Sequence, residues 1–121
     1  MNEFLIGINV SATISDRIVH CVRCLDPTII HTARTMEAKV VFDADKLQTL
    51  GPYGLVREVV YRTRKRRIDI RVAFREAEEL QKETASLLQM AIGEALYEKI
   101  KPLSASMFQS IREWDALEFI D

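Results

Sequence analysis

Ile68-Asp69-Ile70-Arg71-Val72-Ala73-Phe74-Arg75 is the stretch on which the fold turns. Ile68, Ile70, Val72 and Phe74 alternate with Asp69, Arg71 and Arg75. A period of two marks a strand with one buried face. From Glu76 the period changes. Ala77, Leu80, Thr84, Leu87, Leu88, Ala91, Ile92, Ala95, Leu96 and Ile100 recur at helical spacing, and Pro102 closes the run. Glu76, Glu78 and Glu79 fall where negative charge suits a helix N-terminus. Gly93 costs ~1 kcal/mol relative to alanine, too little to break so long a pattern. The spacing predicts a strand over 68–74 and one long helix over 76–101.

Working outward, Leu55–Thr63 is rich in β-branched residues and reads as a second strand, joined to the first by an exposed loop through Arg67. Val56, Val59, Val60 and Thr63 also fit a helix. Met36, Ala38, Val40 and Phe42 alternate with charged neighbours, and Ile6, Ile8, Val10, Ala12 and Ile14 alternate near the N-terminus, so both segments read as strands. Arg17–Leu25 fits either a strand or a helix capped by Ser15, with the β-branched residues favouring the strand. Thr28–Ala33 fits a further short strand. Asp43 or Asp45 caps a short helix ending at Leu50, where Gly51 and Pro52 supply stop signals. Ser106-Met107-Phe108-Gln109 matches a capping box opening a last helix, and Leu117–Asp121 is a candidate extended end. Strands first and helices after is the order of an α+β domain. The expected fold is therefore α+β: a mostly antiparallel sheet of about five or six strands, one face covered by the long C-terminal helix.

A chain of 121 residues, 48% of them hydrophobic, suits one core, so residues 1–121 are read as a single domain. No apolar run reaches the ~18–20 residues of a spanning helix. Met1-Asn2-Glu3 does not open a secretory signal, and two cysteines are too few for a disulfide scaffold. A cytoplasmic protein without a membrane partner is expected.

Net charge is only −1, but it is segregated. Between 55 and 75 stand eight basic side chains (Arg57, Arg62, Arg64, Lys65, Arg66, Arg67, Arg71, Arg75) against Glu58 and Asp69, while 76–121 hold ten acidic and four basic ones. Arg62, Arg64, Lys65, Arg66, Arg67 and Arg71 form a candidate binding patch, able to grip phosphates beside Tyr61 or to be neutralised by the glutamates that follow. Met107, Phe108 and Trp114 are candidate interface anchors, although such helical spacing more often means a core. Cys21, Cys24 and His31 are weak metal candidates, because Cys-x-x-Cys is half of a zinc site and His20 and His31 would have to complete it. On a helix both cysteines would share a face, as small apolar core residues.

No cofactor is expected, and no local triad or phosphate-cradling loop is present in the sequence. The favoured expectation is a non-catalytic protein-interaction module, an assembly subunit or small partner protein, binding another protein or itself as a homo-oligomer. Nucleic-acid binding through the basic 57–75 segment is the alternative. A metal- or thiol-dependent enzyme comes third.

Overall fold

The computed structural model describes residues 1–117. Among them are six α-helices, a 3-10 turn and no strand, so the α+β expectation is corrected to an all-helical fold. The helices are α1 (Asn2–Gly7), α2 (Ala12–Arg23), α3 (Met36–Leu50), α4 (Pro52–Arg64), α5 (Ile70–Ser86) and α6 (Ala91–Asp115), with the 3-10 turn at Ile30–Thr32 between α2 and α3. The extended reading from 118 onward lies outside the described residues.

Three of the segments read as strands carry a capped helix start that outweighs their alternation. Ser11 Oγ accepts from the Ile14 amide, Thr35 Oγ1 from Ala38 and Asp69 Oδ1 from Arg71, satisfying amides that the first helical turn leaves open. The N-terminal alternation is cut in two, since Asn9 takes a positive φ of 61° between α1 and the Ser11 cap. In α5 the contact line is Ala73 and Ala77, both fully buried, with Gln81 one turn on. Val72 and Phe74 flank that line half-buried, and Ile70 is exposed. Large side chains on both flanks of a small-residue ridge imitate a two-residue period over seven residues. The same holds in α3, where Ala38 and Phe42 point inward and Met36 and Val40 outward.

The long helix expected over 76–101 is broken at 87–90 and restarted. Its second half, α6, runs through Pro102 to Asp115, so Ser106 is an interior residue rather than a cap. Pro102 sits on the exposed side, where water can take the carbonyl bond it cannot make.

Helix α3 is the hub, touching α2, α4, α5 and α6. On one side Cys24, Ile30, Ala38 and Phe42 form a core cluster; on the other Leu55, Val59, Ala73, Ala77 and Phe108 join α4, α5 and α6. Asp43, expected to cap its own helix, instead caps α6 from the middle of α3. Its Oδ1 accepts from Gln89 N at 2.7 Å and its Oδ2 from Met90 N at 2.8 Å. Gly93 lies against that carboxylate, with no room for a Cβ.

Candidate interaction face on α4 and α6

Helix α4 begins against the last turn of α3. Pro52 occupies its first turn, where no amide is needed. A Cβ on Gly54 would come within 2.3 Å of the Thr49 carbonyl oxygen, so glycine alone lets the two helices meet this closely. The Gly51 backbone is extended, at φ −80°, and serves as the hinge between α3 and α4 rather than as a left-handed stop.

Two contacts hold the α3–α4 corner against α6, and a third holds α4 itself. Ile100 approaches Gly51, Ser104 Oγ donates to the Leu50 carbonyl at 3.1 Å, and Phe108 packs with Leu55 and Val59. From the Leu50–Gly51 corner beside Ile100 and Ser104 to Leu55 and Val59 beside Phe108, both chains advance in the same direction, so α4 and the second half of α6 run parallel. Helix α5 takes the other flank of each: Arg62 of α4 pairs with Glu76, and Arg112 of α6 with Glu78 at 2.9 Å. The flanks turned away from α5 therefore adjoin. On α4 that flank carries Val56 and Val60, 48% and 45% exposed. On α6 it carries Leu103 and Met107, 60% and 38% exposed, with Ile111 and Trp114 continuing at helical spacing.

The outward face of α4 adds Tyr53, Arg57, Tyr61 and Arg64, all exposed. Its one acidic residue, Glu58, is turned to the side and held by Arg62 Nε at 2.8 Å. The face thus combines valine, tyrosine and arginine without a solvent-facing carboxylate.

At the end of α4 the chain bends through Lys65, Arg66 and Arg67. The Ile68 amide closes the bend by donating to the Arg62 carbonyl at 3.1 Å, and Arg67 is held at φ 52°. A left-handed arginine costs roughly 1 kcal/mol that glycine would not.

The six basic candidates divide. The Arg62 guanidinium is largely enclosed and joined to both Glu58 and Glu76. Arg66 lies 3.8 Å from Glu76 and Arg71 lies 3.7 Å from Asp115. Arg64, Lys65 and Arg67, like Arg57 and Arg75, form no ion pair among the described residues. The anchors divide too: Met107 and Trp114 are exposed on one line of α6, and Phe108 is buried in the core. The signal for the missed Leu103 was the run Leu96, Ile100, Leu103, Met107, Ile111 and Trp114, which continues the helical period through Pro102, and for Val56 and Val60 it was their helical spacing with Val59 and Thr63.

The metal candidates lie apart in environment. Cys24 is buried in the α2–α3 cluster, Cys21 is half-buried and His31 is exposed on the 3-10 turn. His20 Nε2 accepts from the Arg34 amide at 3.0 Å, with the Cys24 sulfur 3.8 Å away. No group of three or more potential ligands gathers among the described residues, and no described helix is long and apolar enough to cross a membrane. The chain matches no protein-family model, no curated protein and no solved structure.

Proposed function

We propose that this chain is a non-catalytic protein-interaction module whose α4–α6 face binds an acidic, amphipathic segment of another protein. The observation that carries the reading is the outer surface of α4. Val56 and Val60 offer apolar area beside Leu103 and Met107, while Arg57, Arg64, Lys65 and Arg67 border it without carboxylates of their own. Tyrosine and arginine beside aliphatic area is the composition of interface anchors. The complement is a strip of apolar side chains flanked by aspartate or glutamate, such as one face of a helix. The same cations would serve nucleic acid, but the exposed valines and leucine favour a protein. Positive φ at Arg67 fits a bend held for binding, where strain collects.

The test is a photo-crosslinking residue at Tyr53 or Val60, compared with one at Glu83 on a different face, in the organism that makes the protein. The expected product is a protein adduct at Tyr53 and Val60 whose crosslinked peptide is acidic and amphipathic. Arg64→Glu with Arg67→Glu should remove it. Adducts to nucleic acid at these positions, or equal capture at Glu83, would overturn the reading.

A further inference from the structure

The sequence runs on from α6 as Leu117-Glu118-Phe119-Ile120-Asp121, three apolar side chains and two carboxylates with no cation among them. That is the complement of the α4 face. Arg64, Lys65 and Arg67 form no ion pair among the described residues, and Val60 and Met107 offer apolar area beside them.

Geometry brings the start of this tail to the same place. Phe108 of α6 packs with Leu55 and Val59 of α4, and the two helices run parallel from there. At ~1.5 Å per residue, Arg64 at the end of α4 and Asp115 at the end of α6 both stand about 10 Å further on. Asp115 accordingly lies 3.7 Å from Arg71, just past the bend. From Leu117, four further residues span up to ~14 Å, more than the ~8–10 Å between packed helices. The tail's carboxylates therefore reach the bend within one molecule.

We infer that residues 118–121 are held on the basic bend of α4, in the place an acidic partner segment would take. The inference rests on the reading of the α4 face given above and adds to it an internal competitor. The other cations near the end of α6 have carboxylates at hand: Arg71 lies by Asp115, Arg112 by Glu78, and Arg62 by Glu58 and Glu76. Arg75 stands among Glu76, Glu79 and Glu83. The last acids of α6 are engaged as well, since Glu113 accepts from Gln109 Nε2 at 2.9 Å and Asp115 faces Arg71. Glu118 and Asp121 follow them in the chain and meet the three cations that remain. A short tether gives the tail an effective concentration in the millimolar range, which favours its own copy over a second one. The three cations are exposed, so the contact is weak, reversible and screened by salt.

Zero-length carbodiimide coupling of the full chain tests the contact, because it joins a carboxylate only to an amine it touches, and Lys65 is the amine of the bend. Mass spectrometry should find Lys65 joined to Glu118 or Asp121, within one copy when isotope-labelled and unlabelled chains are mixed. The yield should fall by ~3-fold or more in ~1 M salt, where the Debye length is ~3 Å, and likewise in Arg64→Gln with Arg67→Gln. Competition is read by photo-crosslinking from Tyr53: Glu118→Gln with Asp121→Gln should raise the yield of partner adduct by ~3- to 10-fold. Absence of the Lys65 link, a link formed only between copies, or equal coupling to Lys99, ~24 Å back along α6, overturns the inference. So does a Lys65 link with partner capture unchanged in the tail variant. A Lys65 link with no protein adduct from either chain overturns the reading of the α4 face and leaves the tail contact standing.

Discussion

Replacing Gly93 with alanine should destabilise this protein, although the same change in an exposed helix interior stabilises by ~1 kcal/mol. The added methyl would lie 2.3 Å from Asp43 Oδ2 and 3.0 Å from its Cγ, so one of the two groups must move. Asp43 has little freedom to yield: it is 4% exposed, and its two oxygens hold the amides of Gln89 and Met90. Displacing it forfeits at least one hydrogen bond to a charged acceptor, worth ~1.5–3 kcal/mol, partly offset by the propensity gain. The expected loss for Gly93→Ala is ~2 kcal/mol. Asp43→Ala loses both bonds and leaves two amides at the start of α6 without that partner, at an expected cost of ~3–4 kcal/mol. In the double variant the methyl enters space the carboxylate has left, so Gly93→Ala becomes neutral or favourable by up to ~1 kcal/mol. The double-mutant cycle should therefore show a coupling of ~2 kcal/mol or more, read from urea unfolding followed by far-ultraviolet circular dichroism with unchanged m-values. Additive effects within ~0.5 kcal/mol, or a Gly93→Ala variant more stable than the parent, would refute the proposed clash.

Arg67→Gly should raise stability by ~1 kcal/mol, because the left-handed backbone at φ 52° suits glycine, while weakening capture at the α4 face; the two effects are read by urea unfolding and by crosslinking yield. Stability should also fall in acid through two exposed carboxylates. Hydrogen bonds from the Thr28 amide and hydroxyl hold Asp26 below the ordinary aspartate range, and Glu37 is lowered by its own backbone amide and then by Arg17. A pKa depressed on folding contributes stability that is complete above the unfolded value, about 4, and is lost as pH falls through the folded one. Asp26→Asn should therefore flatten the acid side of a urea-midpoint profile below about pH 4 and leave its pH dependence near neutrality unchanged.

The sequence made the charge segregation and the Leu50–Gly51 break legible, and left the fold class open to the wrong reading. Periodicity failed because the runs were short and because alanines stand among the helix contacts while several of the alternating large residues face outward. Ala38, Ala73 and Ala77 are fully buried, and the conspicuous Ile70, Met36 and Val40 are not. The helical spacing of Val56, Val59, Val60 and Thr63 was visible beside the strand reading, and α4 follows it. Leu55 and Val59 mark its buried face, so the exposed Val56 and Val60 were the clue to the proposed docking surface. Asp43 was read as the cap of its own short helix; Thr35 caps that helix, and Asp43 instead holds the Gln89 amide 46 residues further on. No local rule reaches that distance. Pro102 misled in the opposite direction, since a proline on the solvent side of a long helix lacks only a bond that water replaces.

Whether the helical body leaves the basic bend facing outward or neutralises it is decided by where the glutamates of α5 point and how far they reach. Glu76 is already shared between Arg62 and Arg66, Glu78 serves Arg112 and Lys82, and Glu79 lies 3.4 Å from Lys82. Glu83 stands fourteen residues beyond the Asp69 cap, about 20 Å along the axis of α5, more than twice the ~8 Å Debye length at physiological salt. Among the described residues, then, each α5 carboxylate near enough to matter is engaged with another cation, and the remaining one is screened. Arg64, Lys65 and Arg67 keep their field, and they keep it at the end of a helix whose C-terminal dipole already favours cations there. A partner's carboxylate brought to this bend gains attraction from all three without first breaking an ion pair among the described residues. At Arg62 it would have to displace both Glu58 and Glu76. The bend and the outer face of α4 are therefore where binding of an acidic segment costs the protein least.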